Sequence, residues 1–244
     1  MTKKVIYSTL ASSLLLASST IAGEVSSVTI PAPETTSIGG FETSIATGYH
    51  SKYIWRGLDF ENDMVDASIE TTGSVAGLDL TAGIWHAHVF DQQGGAFKNE
   101  TDFYVDVSKD LGFVTASVGY IYYYFDADDA QEVYFGLSKD IAGISTSLTY
   151  YWDIEIDNQG YLELGLEKTV SPYEIDLSVT AGYLVEEGAL SHLTSTVSKS
   201  FDLGYGISAS PYVSYVVELD DLEAYAGTSE QNEFVGGVSF SYTF

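Results

Sequence analysis

The sequence predicts an all-β fold, a closed antiparallel transmembrane β-barrel of about twelve strands, with ten or fourteen as the alternatives. Apolar and polar residues alternate with a period of two from Phe41 to Phe244, in segments near the ~9–11 residues that a tilted membrane strand needs. Short turns marked by Gly or Pro alternate with longer acidic loops, as at the two rims of such a barrel. No stretch approaches the ~18 apolar residues of a membrane helix, so any membrane span must be a strand.

The start of the chain is typical of an exported protein. Residues 1–22 resemble a secretory signal peptide, with Lys3 and Lys4 before a short apolar core and a small-residue exit. The absence of Cys excludes a lipoprotein anchor, disulfides and thiolate sites. We predict a flexible periplasmic segment at residues 23–39 and the barrel at residues 40–244.

The charge of the chain excludes several kinds of partner. It carries 35 Asp and Glu against 9 Lys and Arg, a net charge of −26. Binding to nucleic acid or to an anionic membrane surface needs the opposite sign, so we expect no nucleic-acid partner. Hydrophobic residues make up 45% of the chain and 19 residues are Tyr, which argues against disorder. We therefore expect an outer-membrane protein of a Gram-negative-type cell, in contact with lipid and lipopolysaccharide.

Twelve segments carry the alternation in one shared phase. In the first of them Phe41, Ile45 and Tyr49 alternate with polar or small residues. Pro211 lies inside a later apolar row, where it removes a ladder donor, so we expect a bulge there or an earlier end of that strand. The apolar rows fall within residues 41–49, 65–69, 78–84, 103–107, 114–122, 133–137, 144–152, 162–166, 175–183, 193–197, 207–215 and 234–244.

The connections predict which rim faces which compartment. In outer-membrane barrels the short turns are periplasmic and the longer loops are extracellular, so an even strand number places both chain ends on the periplasmic side. The turns are predicted near residues 75–77, 110–112, 141–143, 171–173 and 202–204, and the loops near residues 58–63, 91–99, 126–130, 155–160, 186–190 and 218–231.

A weak repeat places one lysine at the end of each of four apolar rows. The lysines are 30, 29 and 31 residues apart, one hairpin each. A lysine in this position can extend to the lipid headgroups, although an ordinary turn lysine is the alternative. The four residues are Lys109, Lys139, Lys168 and Lys199.

The polar face of the strands carries acids that we predict to line a pore. A dry core would require partners for these acids, and basic residues are scarce, whereas a wet lumen accepts them at little cost. The predicted lining acids are Asp66, Glu70, Asp102, Asp106, Glu132, Glu163 and Asp176.

Aromatic residues form two predicted groups. Those at the ends of apolar rows predict the two interfacial girdles of a membrane barrel, with Tyr49, Tyr53 and Trp55 at the loop end. Those on the polar face could stack on sugars or nucleosides, or simply fill the barrel: Tyr104, Tyr134, Tyr151 and Tyr161.

The last strand ends with aromatic residues at alternate positions. Phe240, Tyr242 and Phe244 resemble the C-terminal signal that the outer-membrane barrel assembly machinery recognises. We therefore predict that this machinery is a partner during biogenesis.

Arg56 is the one arginine of the chain. If the first strand continued to it, Arg56 would share the lumen face with His50 and Lys52, and surrounding carboxylates would hold it as a constriction. The alternative is an arginine at the mouth, paired with Asp59 or Glu61 of the adjacent loop.

No catalytic or metal-binding motif is evident. His86 and His88 alternate on one strand, but without an apparent third ligand they are better explained as interface residues. The loop acids lack the spaced ligands and Gly of a calcium loop. Two Ser–His pairs are sequence neighbours without a placed acid, namely His50–Ser51 and Ser191–His192. We therefore expect neither an enzyme nor a cofactor.

Residues 50–57 resemble the N-terminal motif of the TorF family of porins, whose first strand ends in Tyr-Ile-aromatic-Arg-Gly. Trp55 stands where Phe is commoner, and Leu58 and Asp59 depart from the usual continuation. The resemblance implies an outer-membrane barrel. The matching residues are Tyr53, Ile54, Trp55, Arg56 and Gly57.

Together these features predict a narrow passive channel for small hydrophilic solutes, with an acidic lumen that favours cations or neutral nutrients. The alternative is a non-conducting structural or surface-interaction barrel, with a lumen plugged by side chains and loops that bind divalent ions or partners. A barrel enzyme is a third and weaker alternative.

Overall fold

The computed structural model describes residues 40–59, 62–90, 99–125, 129–156, 158–219 and 232–244. The predicted signal peptide and periplasmic segment lie outside these residues, as do parts of the predicted loops. No helix within the described ranges is long and apolar enough to cross a membrane.

The described residues form fifteen strands. They are β1 Phe41–His50, β2 Ile54–Trp55, β3 Leu58–Asp59, β4 Met64–Val75, β5 Leu78–Val89, β6 Asn99–Asp110, β7 Thr115–Phe125, β8 Ala130–Ile141, β9 Ile144–Asp153, β10 Gly160–Val170, β11 Ile175–Leu184, β12 Ala189–Ser198, β13 Phe201–Gly204, β14 Ile207–Glu218 and β15 Glu233–Thr243.

Twelve antiparallel strands close into one ring. The strands from β4 to β12 pair with their successive neighbours, β1 joins β4 to β15, and β14 joins β15 to β12. β13 continues β12 after a short break and pairs with the same β14, whereas β2 and β3 pair with each other. Each predicted apolar row lies in one strand of the ring, apart from the terminal residues Val114 and Phe244, which lie one position outside β7 and β15. The predicted closed twelve-stranded barrel is confirmed.

The expected bulge at Pro211 and its alternative, an earlier end of that strand, are both wrong, because β14 continues through Pro211 and keeps its register with β15. Ser198 pairs with Tyr212, and the next pair beyond the break follows the same register. The amide of Lys199 donates to the carbonyl of Pro211 at 3.3 Å, but Pro211 has no N–H to return a bond. The missing donor therefore interrupts the neighbouring strand after Ser198, and it produces no bulge in β14, the strand that contains Pro211.

The apolar rows form the outer surface of the barrel. Ile45, Val105 and Leu137 expose 45%, 45% and 50% of their surface, whereas their sequence neighbours point inward. Three of the tight turns have the two positive φ angles of type I′ hairpins, for example 54° and 80° at Ala76 and Gly77. These turns keep adjacent strands in register, so the outer rows stay continuous from strand to strand.

The four repeated lysines all lie at the turn end. Lys109, Lys139 and Lys168 are exposed and continue the outer rows. Lys199 is partly buried, and its Nζ donates to the backbone carbonyl of Tyr173 at 2.8 Å. Lys199 therefore joins the β10–β11 turn to the strand break, and the contact of all four lysines with headgroups stays a prediction.

The aromatic residues of the last strand flank the closure of the ring. Phe240, Tyr242 and Phe244 are exposed on the outer surface. The amide of Thr43 donates to the carbonyl of Phe244 at 3.1 Å, and the amide of Phe244 donates back at 2.9 Å. The rings of Tyr242 and Phe244 stack with centroids 5.4 Å apart. Recognition of this strand by the assembly machinery stays a prediction.

The interior of the barrel is packed differently at its two ends. Toward the turns, small side chains such as Ser117, Gly136 and Ser147 line the inner face and keep partial exposure. Toward the loops, large side chains with at most 2% exposure fill the interior: Trp55, Trp85, Tyr123, Tyr151 and Tyr161. A packed level therefore lies near the loop end, and it contains the candidate site.

Candidate functional site

A short hairpin turns from the first loop into the barrel. β2 and β3 pair around a two-residue turn formed by Arg56 and Gly57. The turn residues have φ angles of 47° and 88°, the positive values of a type I′ turn. Trp55 and Leu58, on either side of the turn, are 2% and 3% exposed. We call residues 54–59 the inner hairpin.

The inner hairpin corrects two expectations. β1 ends at His50, so Arg56 reaches the interior from a loop and not in the phase of that strand. Tyr53 and Trp55, expected in the girdle at the loop rim, are buried inside the barrel. Alternation alone misplaces them because the pattern continues past His50, whereas the strand ends there and the chain turns into the barrel. Exposed aromatic residues near that rim include Tyr49, Trp152 and Tyr215.

The root of the hairpin is fixed to the barrel wall. The amide of Ser51 donates to the carbonyl of Gly236 at 2.8 Å. Lys52 Nζ lies 2.6 Å from both Asp59 Oδ2 and Glu233 Oε2, which ties the hairpin to β15. Burial acts to lower the pKa of Lys52, but hydrogen bonds and attraction from the two carboxylates outweigh it and raise that pKa. Lys52 therefore remains a cation at this junction.

Arg56 occupies a cage of one carboxylate and three aromatic rings. Its Nη2 lies 3.1 Å from both carboxylate oxygens of Glu132 on β8. The guanidinium carbon is 4.0 Å from the ring centre of Tyr161, 4.8 Å from that of Trp55 and 5.3 Å from that of Tyr151. These are cation–π distances in a site from which water is largely excluded, since Glu132 is 1% exposed. We call these four side chains the cation cage.

The sequence did not identify Glu132 as a partner of Arg56. Glu132 is 76 positions away, whereas the sequence points to the adjacent loop acids Asp59 and Glu61. Asp59 binds Lys52, and Glu61 lies outside the described residues. The guanidinium is thus held by a carboxylate of the barrel wall, as the constriction hypothesis supposes.

The tip of the hairpin rests on β12. A Cβ added to Gly57 would lie 2.5 Å from the Cβ of His192, so the two chains are in close contact. His192 also interacts with the backbone of Arg56. A register shift near Gly182 lets both Ser191 and His192 point inward, with Ser191 Oγ 3.0 Å from His192 Nδ1. This Ser–His contact has a structural explanation, because the register shift turns His192 toward Gly57 at the tip of the hairpin. We call this part of β12 the seat of the hairpin.

Six of the seven predicted lining acids bind a side-chain donor. Apart from Arg56, the donors are Tyr, Trp and Thr, which sequence reasoning overlooked because it searched for basic partners. The bonds run to Asp66 from Trp85 (2.8 Å), to Glu70 from Tyr104 (2.7 Å), to Asp106 from Tyr134 (2.8 Å), to Glu132 from Tyr123 (3.3 Å), to Glu163 from Tyr161 (3.2 Å) and to Asp176 from Thr169 (2.6 Å).

Asp102 is the exception. It is fully buried, and no N–H or O–H of the described residues reaches either of its carboxylate oxygens. Its neighbour on the same face is another carboxylate, Glu100, which accepts a hydrogen bond from Tyr53 through one oxygen only. All seven predicted acids thus point into the barrel, whereas their role in lining a pore stays a prediction.

Two of the four interior tyrosines, Tyr104 and Tyr134, reach across a neighbouring strand to an acid. Tyr104 on β6 pairs with Gly83 on β5, which pairs in turn with Glu70 on β4. Because Gly83 has no side chain, the ring of Tyr104 passes over it and reaches Glu70. We call this arrangement a tyrosine crossing, and it recurs in Tyr134–Gly119–Asp106 and Tyr212–Gly237–His50.

The crossings predict that Gly119→Ala destabilises the barrel. The added Cβ would overlap the ring of Tyr134, and we expect a loss of about 1–3 kcal/mol, as for other overpacked sites. Urea unfolding followed by tryptophan fluorescence measures this loss. Gly236→Ala is the matched control, because its Cβ would lie 3.7 Å from the nearest atom. Equal stability of the two variants would contradict the proposed role of the crossing.

The remaining histidines lie on the outer surface. His86 Nδ1 is 2.8 Å from Thr101 Oγ1, and His88 Nδ1 is 2.7 Å from Asn99 Oδ1. Both histidines are exposed and pair with polar residues across the strand, as expected for interface residues. Within the described ranges, no group of three His, Cys, Asp or Glu is arranged to hold a metal ion.

Comparisons with known proteins agree on the fold. No family model and no curated protein matches the chain, so the resemblance to the TorF family stays a prediction. The chain is similar to the KdgM porin, with 12% identity, a TM-score of 0.54, and coverage of 82% of this chain and 99% of that one. It is also similar to an outer membrane channel from Pseudomonas putida F1, with 8% identity, a TM-score of 0.52, and coverage of 87% and 99%.

A further similar structure is an enzyme. The Salmonella typhi outer membrane phospholipase dimer with bound calcium shares 12% identity at a TM-score of 0.50, with coverage of 86% of this chain and 93% of that one. At such identities the likeness concerns the barrel fold, which serves both channels and enzymes.

Proposed function

We propose that this chain is an outer-membrane channel for the passive diffusion of small hydrophilic solutes, with an interior that favours cations and neutral solutes over anions. The inner hairpin is its constriction. Acids outnumber basic residues among the buried charged side chains of the described interior, and ionised carboxylates raise the local concentration of cations while repelling anions. The similar folds of the KdgM porin and the Pseudomonas channel support this assignment.

The observation that carries the proposal is that residues of a loop fill part of the packed level. Trp55, Arg56 and Leu58 belong to a loop and not to the barrel wall, yet they fill the interior at that level. The hairpin is held to the wall by side-chain contacts: the Arg56–Glu132 and Lys52–Glu233 ion pairs, the rings around Arg56 and the contact with His192. A loop element held in this way can move without unfolding the barrel. The turn half beneath it is lined by small side chains, which leave room for solutes.

The second candidate is a non-conducting structural barrel. It is favoured by one observation, the near-zero exposure of Trp85, Tyr123 and Tyr151, which belong to the wall and fill the same level as the hairpin. In that case the hairpin would be a permanent part of the core.

Recording in planar bilayers separates the two functions. We expect the wild type in a KCl gradient to give small, infrequent conductance steps with a reversal potential that indicates K⁺ preference. Heat-modifiable gel mobility confirms that the barrel is folded. If the folded wild type and a folded Arg56→Ala variant both remain silent, the barrel is non-conducting. A preference for Cl⁻ would refute the electrostatic part alone.

A further inference from the structure

We propose that the cation cage is a recognition site for solutes that carry a guanidinium or an ammonium group, and that Arg56 occupies it as a tethered substitute for the solute. This inference rests on the proposed channel function and names the solute class for it. The solute would displace Arg56, move the inner hairpin from its seat and pass.

The cage has the chemistry of a cation site. Glu132 offers both oxygens at 3.1 Å to one nitrogen of the guanidinium, and Tyr161 places its ring 4.0 Å from the guanidinium carbon. Carboxylate and ring face act together on a cation that has lost its water, which strengthens both interactions. A neutral group of the same shape would leave Glu132 buried without a counter-charge, a costly arrangement.

Most of the cage survives without its present occupant. Glu132, Tyr151 and Tyr161 lie on β8, β9 and β10 of the ring, whereas Trp55 and Arg56 belong to the inner hairpin. Departure of the hairpin therefore removes the occupant and one ring but leaves the carboxylate and two rings in place. The wall site exists for any cation that can reach it.

The docked hairpin also carries strain that favours its replacement. Arg56 has a φ of 47°, in the left-handed region, where a non-glycine residue is strained. A free solute binds the same carboxylate and rings without this backbone penalty. A solute that replaces Arg56 thus regains most of the cage contacts that Arg56 gives up, so the free-energy cost of the exchange is smaller than that of emptying the cage.

A second group of carboxylates supports the same solute class. The carboxyl groups of Glu132 and Glu100 both interact with the buried Asp102. Two of these acids lie two residues apart on β6 and the third on β8, so they face one region of the interior. A positive group leaving Glu132 therefore meets further carboxyl oxygens that can accept its hydrogen bonds, which suits a cation in transit.

The test uses L-arginine and L-citrulline, which have the same length and differ by a charged guanidinium against a neutral ureido group. Binding to folded protein in detergent micelles is measured by titration calorimetry. We expect Arg56→Ala to bind arginine at least ten-fold more tightly than citrulline. The wild type should bind arginine measurably but at least ten-fold more weakly than the variant, because Arg56 competes for the cage. The double variant Arg56→Ala/Glu132→Gln should lose the preference for arginine.

Two results would overturn the inference. Equal binding of arginine and citrulline by Arg56→Ala would show that the wall does not recognise the cation. Arginine binding by the variant with none by the wild type, even at saturating concentration, would show that Arg56 is never displaced. Arg56→Gln replaces the alanine variant if heat-modifiable mobility shows misfolding. Because the assay needs no current, its failure is distinct from a silent bilayer recording.

Discussion

Replacing Arg56 by alanine is expected to raise the single-channel conductance in KCl several-fold and to lengthen the open periods. The substitution removes the guanidinium from a cage in which Glu132 is 1% exposed. Removing one partner of a buried ion pair typically costs about 3–5 kcal/mol. Here we expect the loss to destabilise the docked position of the inner hairpin relative to the undocked one. A shift of even about 3 kcal/mol changes the ratio of undocked to docked hairpins more than a hundred-fold. Planar bilayer recording measures the change.

The matched control is Lys109→Ala. It removes one positive charge as well, but Lys109 is exposed on the outer surface at the turn end. We expect its conductance to equal that of the wild type. Unchanged conductance in a folded Arg56→Ala barrel would mean that the hairpin is not the constriction, whatever holds it.

Gly57→Ala is expected to open the barrel with Arg56 still present. The new Cβ would lie 2.5 Å from the Cβ of His192, and the backbone there has a φ of 88°. A side chain in this conformation is strained by roughly 1–2 kcal/mol before any overlap, and the overlap with β12 adds to it. The hairpin tip must then leave its seat, so we expect conductance to rise as in Arg56→Ala. The measurement is the same bilayer recording.

Gly77→Ala separates overlap from backbone strain. Gly77 has a φ of 80°, but its Cβ would meet nothing within 4 Å. This variant carries similar strain in a turn far from the packed level, so its conductance should not change. If both glycine variants behave like the wild type, the contact between Gly57 and His192 does not hold the hairpin in place.

The fold could be predicted because its signals are local. Alternation with a period of two fixes which side chains face outward, and turn residues such as Ala76 and Gly77 mark where a strand reverses. Pro211 shows the limit of this approach. Its missing N–H is evident in the sequence, but whether its own strand bulges or the neighbouring ladder breaks depends on a pairing made by distant residues.

The site could be predicted only in part because its contacts are long-range. The charge of Arg56 and its isolation indicated a role, but the inward turn of the hairpin and the partner Glu132 depend on a fold that brings residues 76 positions apart together. The tyrosine donors were missed for a related reason. Tyr104 meets Glu70 across Gly83, a relation among three strands that no single segment reveals.

The tyrosine crossings also have a consequence for how the barrel is assembled. Each crossing requires a ring, a glycine and an acceptor to lie in one line across three strands. If one strand slid by a single residue, its inward and outward side chains would exchange, and the ring would meet a side chain instead of an empty glycine. The crossings of Tyr134 over Gly119 and of Tyr212 over Gly237 therefore fit only the native strand register, at two places on the circumference. A hairpin that inserts in the wrong register cannot form its crossing, and we expect it to shift along its neighbour until ring, glycine and acceptor lie in line.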